Sequence, residues 1–231
     1  MPMTSHLWSE PIEAVVFDMD GTLIDSEAVF RTALFNACSD MGFEMTQATH
    51  MRILGGTAEN TRRVLADAFG DKFPFEEFYD RCTVHIETEL VRTPMRPKRG
   101  ATDLIRYLDE TGIPMAVATS SRMIHASEHL GAVGLLPFFR TLVTRDDVMN
   151  PKPHPEPYLT AAERLGVDPV RCLAFEDSAT GARAAVAAGM RTILVPDMHR
   201  PGRDIADLCA LVLDDLTHAH THLASILAEP A

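Results

Sequence analysis

An excess of basic charge is missing from this sequence. Of its 231 residues, 21 are Lys or Arg and 33 are Asp or Glu, a formal net charge of −12, so nucleic acid or an anionic membrane surface would be repelled. Cysteine is sparse as well. Cys38, Cys82, Cys172 and Cys209 are widely spaced, with no C-x-x-C and no Cys/His cluster of zinc-finger spacing, and read as small buried hydrophobes in a reducing compartment. No apolar run approaches the length of a membrane span, and MPMTSHLWSEP at the start holds no basic stretch followed by an apolar one. We expect a cytoplasmic protein without a targeting segment, with neither nucleic acid nor membrane among its partners. Repeats and low-complexity tracts are also absent.

What the chain does hold is a globular composition, 46% hydrophobic and 23% charged, in a length that permits one large domain or two smaller ones. The first clear element is the apolar run Ile12–Phe17, which stops at Asp18; a strand buried on both faces reads this way. Similar runs recur at Ile113–Ala118, Thr141–Val143, Cys172–Phe175 and Thr192–Val195. Between them lie helical patterns at Ala101–Glu110, Met123–Leu130, Pro157–Leu165 and Ala179–Ala188, each followed by a glycine (Gly112, Gly131, Gly166, Gly189) suited to a left-handed stop. Strands alternating with helices of this size make βαβ units, hence an α/β fold whose parallel sheet is covered on both faces. Residues 27–92 depart from that rhythm. They hold long helical stretches (Glu27–Met41, Ala58–Phe69, Phe75–Val91), no convincing strand, and lead into the proline-bearing connector Thr93–Pro97. We therefore expect a discontinuous α/β domain, 11–26 and 93–231, interrupted by an all-helical one, 27–92, with a last helix in the tail from Asp214.

In open parallel sheets the ligand site lies at the carboxyl ends of the strands. Asp18-Met19-Asp20-Gly21-Thr22 follows the first strand, Thr119-Ser120-Ser121 the second and Glu176-Asp177-Ser178 the fourth, while Lys152 lies just downstream of the third. Four acids, a hydroxyl and a lysine would share one rim. Carboxylates so gathered need a compensating positive charge, and Mg²⁺, which takes a few carboxylates together with waters and phosphate oxygens, meets that need better than a soft metal. The lysine and hydroxyl suit the oxygens of a phosphate. With a phosphoryl group held there, one carboxylate can attack phosphorus while a second, protonated one donates to the leaving oxygen. Each motif alone is ordinary. D-x-D-G is commonly a turn, and as a calcium loop it fails because Val29 stands where the twelfth-position acid belongs. Glu176-Asp177 alone reads as a helix N-terminus, Thr119-Ser120 as a helix cap, and Lys152 as a solvated charge. Their order along successive strands is what makes a site of them.

Phe17-Asp18-Met19-Asp20-Gly21-Thr22, Val117-Ala118-Thr119-Ser120-Ser121, Lys152-Pro153-His154-Pro155 and Phe175-Glu176-Asp177-Ser178 resemble the four motifs of the haloacid dehalogenase superfamily of phosphotransferases, in a match running from about Pro11 to Asp197. The helical insertion is placed like the type 1 cap of the phosphatase and β-phosphoglucomutase branch. The resemblance implies a Rossmann-like parallel-sheet core with an inserted helical cap domain. It implies Asp18 as the phosphoaspartyl nucleophile and Asp20 as general acid, later base. Mg²⁺ would be bound by Asp18, the backbone carbonyl of Asp20, and Asp177 with Glu176. Thr119 and Lys152 would hold the transferring phosphoryl, Ser120 would bind substrate beside them, and Gly55-Gly56-Thr57 would fall at the cap loop that faces the substrate. The second acid, Asp20, which true dehalogenases lack, points to phosphate esters over haloacids. Cys172–Asp197 and Ala118–Arg122 are also similar to pseudouridine-5′-phosphatase-like members, although both segments handle phosphate generically.

The expected function is a Mg²⁺-dependent phosphatase hydrolysing a small phosphorylated metabolite, a sugar phosphate or nucleoside monophosphate, through a phosphoaspartate, in a monomer or weak homodimer. A phosphomutase on the same fold is the alternative. In β-phosphoglucomutase the resemblance assigns cap histidine, lysine and arginine to gripping a bisphosphate and coupling closure to the acid; the gap-free matches here are Phe30, Leu54 and Ala58. A phospho-accepting signalling module is more distant, since it has no use for an acid two residues past the nucleophile or for a helical insertion. His218, His220 and His222 read as a solvated terminal helix, Arg62 and Arg63 as surface charges, and the twelve methionines as core filler.

Overall fold

The first strand begins at Ala14 and every one of its residues is buried, because it lies in the middle of the sheet. The computed structural model describes residues 11–54, 58–197 and 202–227. Gly55, Gly56 and Thr57, and the first ten residues, on which sequence readings fell, lie outside them. The chain divides into two compact units, Met1–Asp25 with Arg96–Ala231, and Ser26–Met95.

In the first unit the strands are β1 (Ala14–Phe17), β2 (Ile24–Asp25), β3 (Arg96–Pro97), β4 (Met115–Ala118), β5 (Thr141–Val143), β6 (Cys172–Glu176), β7 (Arg191–Leu194) and β8 (Leu211–Val212). Among the described residues, six of them form one sheet in the order β5-β4-β1-β6-β7-β8, parallel throughout. From β1 the chain builds outward on one side through β4 and β5, then on the other through β6, β7 and β8, so the topological switch point, where such sheets bind ligands, falls beside β1. β2 and β3 pair antiparallel, Asp25 against Arg96, and join the unit's two chain segments next to the insertion.

Alternate residues of the central strands divide the core. Ala14, Val16, Ala116, Ala118, Cys172 and Ala174 pack with Tyr158, Ala161, Ala162, Ala184 and Ala185 of the covering helices; side chains this small let helices close tightly on a sheet. Phe17 turns to the other face and stacks on Phe175 of the neighbouring strand, ring centroids 5.0 Å apart, with Phe139 edge-on at 6.2 Å.

The Ser26–Met95 unit contains helices α1 (Glu27–Asp40), α2 (Gln47–Ile53), α3 (Ala58–Phe69) and α4 (Phe75–Arg92). Its own core joins Ala37, Cys38, Val64, Leu65, Phe73, Phe78 and Cys82, with Phe43 set 5.0 Å from both Phe69 and Phe73. The remaining helices belong to the first unit: α5 (Ala101–Glu110), α6 (Met123–Ala132), α7 (Glu156–Leu165), α8 (Ala179–Ala187), α9 (Arg203–Ala206) and α10 (Leu216–Leu227).

One expected stop is displaced. Gly131 does not end its helix: α6 runs on to Ala132, and Gly134, at φ 72°, takes the left-handed position. Gly112, Gly166 and Gly189 do adopt positive φ. α2 escapes the apolar pattern because its seven residues are capped by a polar contact, the Thr46 hydroxyl accepting from Thr49 N at 3.1 Å. No described helix is long and apolar enough to cross a membrane.

Candidate active site

Past Phe17 the ladder continues for one more step, Asp18 N donating to Phe175 O at 2.9 Å, and then the chain doubles back: Leu23 N and Ile24 N both donate to Met19 O, and Gly21 N to Ile24 O. Gly21 holds φ at +88°, which disfavours any side chain, and a Cβ there would run into the Asp177 carboxylate. This turn delivers Asp18, only 7% exposed, to the strand ends. Its Oδ1 accepts from Lys152 Nζ at 2.7 Å, while its buried Oδ2 has no hydrogen-bond partner among the described residues.

Lys152 Nζ also donates to Glu176 Oε1 at 2.5 Å and stands 5.1 Å from the centre of the Tyr158 ring. Its loop is held by Glu156, whose carboxylate accepts from the amides of Met149 and Asn150. Glu176, fully buried at the end of β6, is the hub: Oε1 also accepts from Tyr158 OH at 2.6 Å, and Oε2 from Ser178 Oγ at 3.1 Å and Asp177 N at 3.2 Å. Ser178 caps α8 with the same hydroxyl, accepting from Gly181 N at 3.1 Å. Gly181 itself must lack a side chain, since a Cβ there would overlap the Glu176 carboxylate. Gly181→Ala should therefore push Glu176 off Lys152, costing about 1–3 kcal/mol of stability by overpacking and most of any activity. Unaltered thermal unfolding in the purified variant would contradict this packing.

At the end of β4, Thr119 N donates to Val143 O at 2.9 Å and Thr119 Oγ1 accepts from Ser121 N at 3.0 Å. Ser121 Oγ donates to Asp20 Oδ2 at 2.8 Å. Ser120 beside them is exposed.

The charges do not balance. Burial first, then the neighbouring Glu176 and Asp20 charges, push the Asp18 carboxyl up to about 7 against the opposing pull of Lys152. Burial, with Asp18 and Glu176, also raises Asp177 well above the usual carboxylate range. Burial works against the Lys152 ammonium, but Asp18 and Glu176 outweigh it and hold the group charged, above its ordinary value. The Tyr158 phenol is raised well above its own by burial and by the charges of Glu176 and Asp18, so it stays protonated and donates to Glu176.

Asp18, Glu176 and Asp177 each offer an oxygen, all within 4.8 Å of one another. That makes a cluster of hard donors able to hold a divalent cation. The α10 histidines make no such group among the described residues; His218 pairs with Asp215 instead, and the His220 ring lies 4.8 Å from Tyr107. The structure thus brings together Asp18, Lys152, Glu176 and Asp177 directly, and ties Asp20 and Thr119 together through Ser121. Sequence reasoning gave no part to Tyr158, Ser121 or Gly181. A tyrosine on the inward face of a helix reads as core, and only its closeness to the Lys152 motif hints otherwise.

The model of the haloacid dehalogenase-like hydrolases matches residues 15–195. The "Phosphorylated carbohydrates phosphatase" of Thermotoga maritima is 35% identical over 183 residues, 79% of this chain and 84% of its own. The "Probable pseudouridine-5'-phosphatase" of Drosophila melanogaster is 30% identical over 188 residues, 79% and 80% of the two chains. Among solved structures, CbbY from Rhodobacter sphaeroides in complex with phosphate superposes with a TM-score of 0.76 at 28% identity, over 89% of this chain and 95% of that one.

Proposed function

The chain belongs to the haloacid dehalogenase-like hydrolases, and from that premise we propose that it is a Mg²⁺-dependent phosphatase acting on a small phosphorylated metabolite, a sugar phosphate or nucleoside monophosphate. The observation that carries this reading is the state of Asp18: one oxygen fixed by a buried lysine, the other without a partner, and a second carboxyl two residues on.

In this reading Asp18 attacks phosphorus and the ester bond to the leaving oxygen breaks. Asp20 gives that oxygen its proton, so an alcohol departs and a phosphoaspartate is left. Asp20, now a carboxylate, takes a proton from water as the water attacks phosphorus, and inorganic phosphate leaves with Asp18 restored. Lys152 and the Thr119 hydroxyl hold phosphoryl oxygens, with Ser120 at the edge. The helical segment 27–92 is assigned as the cap domain inserted into a core formed by 11–26 and 93–231.

A divalent cation fits this donor set. Every side-chain donor is a carboxylate oxygen, Asp18 Oδ2 is buried without a partner, and burial, reinforced by the neighbouring carboxylates, makes Asp18 and Asp177 resist ionising. Asp18, the Asp20 carbonyl and Asp177 would hold it, and Mg²⁺ bound there would supply positive charge to the phosphoryl oxygens. Glu176 has both oxygens engaged by Lys152, Tyr158, Ser178 and an amide, so it contributes its charge and the position of Lys152 more than a ligand atom.

Mutase chemistry needs cap groups that keep the phosphoaspartate from water and grip a second phosphate. Phe30, Leu54 and Ala58 can do neither. Incubated with β-glucose 1-phosphate, its 1,6-bisphosphate and Mg²⁺, the enzyme should release free phosphate. Glucose 6-phosphate formed over many turnovers with little phosphate release would overturn the hydrolytic reading. A panel of phosphorylated sugars and nucleoside monophosphates assayed in the same way tests the substrate class.

A further inference from the structure

Asp20 has a single side-chain hydrogen bond among the described residues, and Ser121 supplies it: Oδ2 accepts from Ser121 Oγ at 2.8 Å, while Oδ1 is buried without a partner. We propose that Ser121 is a positioning residue for the general acid, fixing which oxygen of Asp20 carries the proton to the leaving group. The inference rests on the phosphatase reading and deepens it.

A carboxyl rotates about its last bond unless something restrains it, and a neutral one can bear its proton on either oxygen. The Ser121 hydroxyl donates to Oδ2. With Oδ2 so engaged as the accepting oxygen, the proton of the neutral acid resides on Oδ1. When the ester bond breaks, that proton passes from Oδ1 to the departing oxygen. When water attacks, Oδ1 is again the free acceptor. One hydrogen bond thus presents the same atom in both half-reactions.

Ser121 is itself firmly placed, as such a residue must be. Its amide donates to Thr119 Oγ1 at 3.0 Å, which leaves the threonine's own O–H directed elsewhere, toward the phosphoryl in the reading above. Its carbonyl accepts from Arg145 N at 3.0 Å. Arg145 opens a turn closed by a capping box, in which Thr144 Oγ1 and N both donate to Asp147 Oδ2, at 2.6 and 2.8 Å, and Arg164 holds the other oxygen of Asp147 at 2.6 Å. Across the turn, Asp146 accepts from Met123 N at 3.0 Å and from Arg122 at 3.1 Å, pinning the segment just after Ser121. The loops after β4 and β5 are thereby locked to each other, and the acid is referenced to both.

A merely structural serine and an acid-positioning one differ in how their loss depends on the leaving group. An alcohol leaves poorly without a proton, whereas the phenolate of p-nitrophenyl phosphate leaves unaided. Because kcat/KM reports only steps through release of the first product, it isolates that difference. Ser121→Ala should lower kcat/KM by about 10- to 100-fold for the best alkyl phosphate of the panel, within what a misplaced general acid costs, and by less than about threefold for p-nitrophenyl phosphate. Ser121→Thr, which keeps the hydroxyl, should regain most of the loss. Equal falls on both substrates, no fall on either, or failure of a normally folded Ser121→Thr to recover would overturn the proposal. If the wild-type protein released no phosphate from any ester, the phosphatase reading would be the one to fail.

Discussion

Asp18→Asn is expected to lower phosphate release by three orders of magnitude or more, because it preserves the volume of the side chain while removing the attacking anion. The loss should come without unfolding. A carboxyl pushed up to about 7 when folded, against an ordinary 3.8, is one whose ionised form is disfavoured in the native state. The stability tied to its neutral form is fully present below pH 3.8 and drains away as pH rises through about 7. An uncharged amide at the same position escapes that drain, so in metal-free buffer at neutral pH the variant should unfold at the same temperature as wild type or higher. Single-turnover phosphate release and a thermal melt, run on the same preparation, check both halves. Retention of a tenth of wild-type turnover would remove Asp18 from the role of nucleophile.

Chelation should have an effect just as large. After EDTA and exhaustive dialysis activity should vanish, Mg²⁺ should restore it, and Ca²⁺ should inhibit, because its larger and looser coordination misplaces the phosphoryl for in-line attack. Binding is also visible without turnover. A cation that neutralises Asp18 and Asp177 returns the stability their ionisation removes, so the rise in melting temperature on adding Mg²⁺ should grow as pH climbs from 5 to 8. Asp177→Ala should demand about tenfold more Mg²⁺ or beyond, in line with the loss of a ligand; His218→Ala should demand no more than wild type. Full activity in dialysed, EDTA-treated enzyme would contradict the metal assignment.

The ends of β1, β4 and β6 were legible because a strand buried on both faces must be apolar, so the first polar residue marks where it leaves the core: Asp18, Thr119 and, one residue late, Glu176, which still belongs to β6. Because a parallel sheet puts the carboxyl ends of its strands on one rim, the gathering of acids beside Lys152 followed. β2, β3 and β8 were not legible. Two residues apiece hold no period, and their pairing depends on partners far away in the chain. The stop at Gly134 was misplaced because Gly131 stands where a helix of average length would end, and nothing local says that α6 tolerates it. Within the site, sequence spacing brings groups to a rim but says nothing about which oxygen accepts from which donor. That is why Tyr158 and Ser121 went without a role, and why the hydrogen bonds of Glu176 to Lys152 and Tyr158 went unread.

The antiparallel pairing of β2 with β3 has a consequence for how this chain tolerates change. The first unit's chain runs out at Asp25 and resumes at Arg96, and those two residues are already cross-strand partners. The entropy of closing a loop grows only slowly with its length, and here a short ladder fixes both ends of whatever lies between. To the sheet, seventy intervening residues and a two-residue turn present the same boundary. The helical segment can thus be lengthened, recoded or exchanged by recombination without asking β1, β4 or β6 to move, and the acid rim keeps its geometry through such changes.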